Sequence, residues 1–229
     1  MCKYWELNPT RISAFDGRHG DLNHILEGNH DIGITSGEVG CVTSHLKAIK
    51  QWYKTTDTPY AIFAEDDVSF DTARFWKFTW DEFVEKLPYD WDVVQLAIIN
   101  PGVVYASMHA RWVNDFSTAC YMITRHHAKK LIEHHCVGDK FRLDQGVKPR
   151  PVADDLIYNC GRTYAIPLFH YKIELGSSIH PDHIEVFHKG SHKGILDHWR
   201  ESLAQMEDQS QLFEYDPYLG RIPPECQGK

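Results

Sequence analysis

The chain has 229 residues, 42% of them hydrophobic and 24% charged, with a formal net charge of -8. That length can bury a sizeable core as one large domain, or as a domain with an appendage. The acidic balance excludes broad binding to nucleic acid or to an anionic membrane, both of which need a basic surface.

Cys2, Cys41, Cys120, Cys136, Cys160 and Cys226 are scattered, with no CxxC pair, and fit a reducing, cytoplasmic setting. No run reaches the length of a membrane span, and MCKYWELNPT at the start lacks the apolar centre of a signal peptide.

The first patterned segment is GEVGCVTSH at residues 37–45. Val42, Leu46, Ile49 and Tyr53 then recur at helical spacing, so a helix is expected after the glycines with Ser44 near its start. Gly37 and Gly40 permit a tight turn before it. Such a turn either offers backbone N–H groups to a phosphate or sugar, or simply caps the helix. Pro59 closes the segment, and YAIFA at 60–64 reads as a short buried strand.

That strand runs directly into Glu65, Asp66 and Asp67. Adjacent carboxylates repel unless a cation, a proton or solvent relieves them. A strand-end cluster of this kind suits a hard divalent cation, which takes one or two carboxylates together with substrate phosphates. A solvated turn is the other reading.

Residues 72–87 place Phe75 or Trp76, Trp80, Phe83 and Leu87 on one face of an expected helix. WDVVQLAII reads as a second buried strand ending in the turn Asn100-Pro101-Gly102, and STACYMITR as a third. HHAKKLIEHHC is helical in pattern, DDLIYNC makes a short helix with an acidic first turn, and TYAIPLF is a further strand. Strands alternating with helices imply an α/β fold with a mixed, mainly parallel sheet, whose ligands sit beyond the carboxyl ends of the strands. The triplet at 65–67 falls at such an end.

Asp154 and Asp155 open the DDLIYNC segment as a candidate general base or as a helix N-terminal cap. SSIHPDHIEVFHKGSHKG brings His180, His183, His188 and His192 together with Lys189 and Lys193. ILDHWRESLAQMEDQSQLF is helical in flavour before the sequence turns Pro-rich. The expected organisation is a domain over 1–194 followed by a helical and irregular tail over 195–229.

Taken together, GE-x-GC-x-x-SH and the apolar-EDD stretch some twenty residues later resemble the pattern of glycosyltransferase family 25. ISAFDGR is similar to that family's early DG stretch, WDVVQLA to its strand after the acids, STACYMITRHHAKKLI to a later strand–helix region, and PVADDLIY to an Asp-containing helix start. The likeness spans roughly residues 12–170.

It implies a GT-A, Rossmann-like nucleotide-diphospho-sugar transferase fold, with inverting, hexosyl-type transfer and a Mn²⁺ or Mg²⁺ site. The donor is expected to be a UDP-type nucleotide sugar, and the acceptor a glycan or a protein- or lipid-linked hydroxyl. Carried over residue by residue, Asp67 is the direct metal ligand. Glu65 and Asp66 face the ribose, the metal's waters or the donor sugar, with Glu65 also a candidate ligand. Glu38, Ser44 and His45 line the donor pocket, Asp154 or Asp155 is the base, His188 or His192 completes the metal site, and Lys193 meets the diphosphate.

The family's usual first strand, with its Asn-Leu and Arg motif, has no counterpart in MCKYWELNPTRISAF. A non-catalytic sugar- or partner-binding relative is therefore the second expectation, and a metal-dependent phosphohydrolase the third.

Overall fold

The computed structural model describes residues 6–17, 22–28, 33–102, 104–144, 146–147, 149–172 and 188–215. The chain forms two compact units, one from Met1–Ala61 with Ile123–Gly161 and the other from Ile62–Met122 with Arg162–Lys229. It is mixed α/β, with a mixed sheet and helices packed around it. Among the described residues no helix is long and apolar enough to cross a membrane.

The first unit is built on helix α1, Ser36–Thr55, with α3, Arg125–His135, and α4, Ala153–Tyr158, packed against it. Helix α1 starts earlier than the sequence pattern suggests. Thr35 is its N-cap, and a reciprocal capping box with Glu38 satisfies donors at both positions. Gly37 and Gly40 are thus helical, not a turn ahead of the helix. Val39, Val42, Leu46 and Ile49 form its buried stripe at spacings of three and four.

Gly40 is needed for close approach. A Cβ there would lie 2.9 Å from both the Gly17 nitrogen and the Phe15 carbonyl oxygen, and one on Gly17 would lie 1.8 Å from the Ser36 carbonyl oxygen. The Asp16-Gly17 loop therefore lies backbone against backbone on the first turns of α1. Arg125 binds the C-terminal end of α1 through the carbonyls of Tyr53 and Thr56, at 2.8 and 2.7 Å, with its guanidinium over the Tyr53 ring. Buried His127 on α3 meets the Ile157 carbonyl of α4 at 2.9 Å. A short hairpin, β6 (Cys136–Val137) with β7 (Lys140–Phe141), completes the unit.

The sheet runs in the order β1-β5-β3-β8-β2, with β4 also on β8. These strands are β1 Tyr60–Ala64, β2 Val68–Ser69, β3 Val93–Ala97, β4 His109–Ala110, β5 Cys120–Thr124 and β8 Thr163–Tyr171. The chain crosses between the units within β1 and within β5.

Strand β8 is parallel to β3 and antiparallel to β2 and β4. Its register on β3 shifts between Gln95 and Ala97, a bulge that admits Pro167 inside a buried strand. The freed Pro167 carbonyl accepts the buried Trp199 indole N–H at 2.8 Å. Trp199 belongs to α5, Lys189–Glu201, which packs on β8 and runs unbroken through positions 194 and 195.

Residues 72–87 are not one helix. They divide into a 3-10 turn, Asp71–Phe75, and α2, Trp80–Glu85, because Thr79 begins a new helix with its own capping box to Glu82. The aromatic stripe is shared among elements instead: Phe78 and Phe83 both pack on Phe213, with centroids 4.7 and 5.2 Å away, and Trp76 lies against Phe169.

A buried polar knot holds the loop after β3. Asp115 accepts from the Asn100 side chain at 2.9 Å and from the Trp112 backbone at 2.8 Å, and its other close contact is His109 Nε2 at 3.2 Å. Asn100 in turn exchanges two backbone bonds with the Ser191 hydroxyl in the first turn of α5, at 3.1 and 3.0 Å. This fixes the start of α5 against the end of β3.

Candidate active site

In the second unit, β1 ends at Ala64 and the acids follow at once. Glu65 is held on both sides of its Cα: its backbone N–H donates to the Ala119 carbonyl at 2.8 Å, and its carboxylate accepts from the Thr118 hydroxyl at 3.0 Å. Asp66 is exposed at the turn. Asp67 leads into β2, and its carbonyl accepts from the Lys172 N–H at 2.6 Å, tying it to the end of β8.

The Asp67 carboxylate stands apart from its neighbours. Its Oδ1 is buried with no hydrogen-bond partner among the described residues. Burial, then the charges of Glu65 and Asp66, push the carboxyl up to about 7. A buried carboxylate oxygen lacking a donor is costly unless a proton or a cation compensates it. The hard-oxygen chemistry of the triplet therefore fits Mg²⁺ or Mn²⁺, which takes few protein carboxylates and keeps room for phosphate.

Two residues beside this end of β8 lie outside the sequence-based candidates. His170 is buried opposite Ser69 of β2, and Lys172 follows it. Burial raises the carboxyl of nearby Asp71, but the Ser69 hydroxyl, then Arg74, with smaller help from His170 and Lys172, hold it below its ordinary value. The His170 ring meets His192 of α5 edge to face, with centroids 4.6 Å apart. His192 is thus brought to the same strand end as Asp67. The only signal for His170 was a single polar residue closing an apolar run, which reads as the end of a strand.

The other late candidates are placed differently. His188 immediately precedes α5 and makes no side-chain cap bond. Lys193 is largely exposed and lies 4.0 Å from Asp197, one turn along the helix. His180 and His183 lie outside the described residues.

The remaining candidates belong to the first unit. Glu38 is buried and heavily engaged: it accepts from the Thr35 N–H at 2.7 Å, and its two oxygens accept from Arg150 Nη2 at 2.9 and 3.0 Å. Ser44 lies two turns into α1, where its hydroxyl donates to the Gly40 carbonyl at 2.5 Å and accepts from the Phe15 N–H at 2.8 Å. His45 is the next residue of α1. Asp154 and Asp155 are in the first turn of α4, whose N-cap Val152 makes no side-chain bond. Asp155 accepts from the Arg150 N–H on one oxygen and from the Asn159 amide on the other, both at 3.2 Å.

Acids at a strand end of an α/β protein, one of them buried with an oxygen that no described donor meets, make this strand end the candidate site. The sequence model of glycosyltransferase family 25, described as an LPS biosynthesis protein family, matches residues 19–144, and the chain belongs to this family. The matched span takes in α1, the acid triplet, β3, β5 and α3, and ends before α4 and β8. No curated protein matches the chain.

Proposed function

We propose that this protein is a metal-dependent, inverting glycosyltransferase that moves a hexosyl group from a UDP-type nucleotide sugar to an acceptor hydroxyl. The acceptor is a glycan or a protein- or lipid-linked group, and the fold is the GT-A type. Its setting is cytoplasmic, in keeping with the four described cysteines, which are all free.

The observation that carries the reading is the buried, donor-less oxygen of Asp67 at the end of a family-matched acid triplet. Asp67 would hold Mn²⁺ or Mg²⁺, with Glu65 and His192 or His188 as further candidate ligands. Bound there, the cation would offset the charge that develops on the departing diphosphate.

The chain's own residues set the rest. Thr118 orients Glu65 by hydrogen bond, leaving Asp66, exposed at the turn, to meet a ribose or sugar hydroxyl. Inversion needs a base that takes the acceptor's proton as the new bond forms. Asp154 is favoured over Asp155 for that role as the better match to the family's single Asp, and Asp155 accepts hydrogen bonds from the Arg150 N–H and the Asn159 amide. Lys193, exposed on α5, would be available to a diphosphate, and Ser44 and His45 are the α1 residues assigned to the donor. Glu38, locked by Arg150, supports that assignment only through the shape of the helix start.

The test is calorimetric titration of UDP into the protein with Mn²⁺ and again with EDTA. Binding that requires the metal is the expected result. Equal binding in EDTA would remove the cation from the donor site, and no binding in either condition would favour a relative without a donor pocket.

A further inference from the structure

The second unit has a cavity of about 350 Å³ at the other end of β8 from Asp67. Tyr164, near the start of the strand, lines it, whereas the Asp67 carbonyl is bonded at Lys172. Eight positions along the chain separate the two, at most about 26 Å at the usual strand rise. The cavity is therefore separate from the acid triplet.

Its wall combines aromatic rings with a matched ion pair. Tyr89 is wholly exposed, and Tyr164 and Tyr215 meet edge to face with centroids 4.9 Å apart. Asp90 accepts from the Arg162 guanidinium on one oxygen and from the Tyr164 hydroxyl, at 2.8 Å, on the other. Lys86 is the second cation of the wall.

Arg162 and Asp90 neutralise each other, and a purely apolar ligand would bury that pair and a phenol without replacing their water. A neutral molecule with many hydroxyls and apolar C–H faces meets the needs of both the ion pair and the rings. Its hydroxyls can bond the Asp90–Arg162 pair while its C–H faces lie on the tyrosine rings.

We propose that this cavity is a binding subsite for a neutral oligosaccharide, with Tyr89 and Tyr215 as stacking surfaces and Asp90 and Arg162 as the hydrogen-bonding pair. The proposal stands on the chemistry of this wall and needs neither metal nor nucleotide.

Backbone amide NMR of the full chain, in EDTA and without nucleotide, tests it. The probes are maltotetraose, cellotetraose and β1,4-galactotetraose, with inorganic phosphate as the anionic comparison. The expected result is saturable shifts around residues 86–90, 162–164 and 215 with at least one tetrasaccharide, at millimolar affinity. Tyr89→Ala, which truncates a wholly exposed side chain and leaves the fold in place, should weaken that binding by about tenfold, the effect of losing one good contact. The absence of saturable shifts with all three tetrasaccharides would overturn the proposal. So would unchanged affinity in Tyr89→Ala, or shifts produced by phosphate alone.

Discussion

Replacing Asp67 by asparagine removes a carboxyl that burial and two neighbouring acids hold at about 7 instead of 3.8. The folded protein keeps this proton to a higher pH than the unfolded chain does. Its contribution to stability is therefore fully present below the unfolded value and is lost as pH rises through about 7. A displacement of that size corresponds to about 4 kcal/mol. Roughly 2.5 kcal/mol of it falls between pH 5 and pH 8.5, and residual solvent contact reduces the expected change to about 1–2 kcal/mol.

Asparagine cannot ionise. Whatever fixed cost its amide carries at this position, the variant should therefore gain about 1–2 kcal/mol on the native protein as pH rises over that interval. Urea unfolding of both proteins in EDTA, at the two pH values, measures this double difference. In melting temperature it amounts to about 2–8 °C for a chain of this length. Added Mn²⁺ at pH 7.5 should then raise the melting temperature of the native protein and leave that of Asp67→Asn unmoved. A stability gap that is the same at both pH values would refute the reasoning, because it would mean that Asp67 is not a strained carboxyl.

Two further substitutions separate scaffold from chemistry. Gly17→Ala would set a Cβ 1.8 Å from the Ser36 carbonyl oxygen, a backbone atom that can yield only if the loop leaves α1. A loss of about 2–4 kcal/mol in urea unfolding is expected, and one below about 0.5 kcal/mol would show that the loop does not depend on this contact. Asp154→Asn should leave UDP affinity in Mn²⁺ within about twofold while lowering transfer by about 10²–10⁴, the usual worth of a general base. Unaltered turnover would move the base to another residue.

The strands were largely legible in the sequence because each is a short apolar run bounded by breakers. YAIFA is β1, but as the end strand of the sheet it is not the buried strand expected, with Ile62 exposed, and TYAIPLF falls within β8. The start of α1 was not legible in its pattern. Gly37 and Gly40 have low helix propensity, but Thr35 and Glu38 cap the helix ahead of them, and Gly40 is there to let the Gly17 loop approach. Residues 72–87 misled for a related reason. Their aromatic spacing reports burial, and burial can be shared by a 3-10 turn, a separate helix and the distant Phe213.

The candidate site was visible in the sequence as the acid triplet, but its surroundings were not. His170 and Lys172 reach the Asp67 end of β8 through strand register, which no local pattern encodes. Residues sharing a family motif also divide by what surrounds them. Glu38 is buried, but a capping box and Arg150 satisfy it, and Ser44 spends its hydroxyl on Gly40 and Phe15. For these two, fixing the backbone is sufficient reason to be where they are. Asp67 has no such explanation: the fold holds its carboxylate in a half-buried place, beside two like charges, with an oxygen that no described donor meets. An arrangement of this kind costs stability, and a cation of the sort proposed for this site is a partner whose charge would remove that cost.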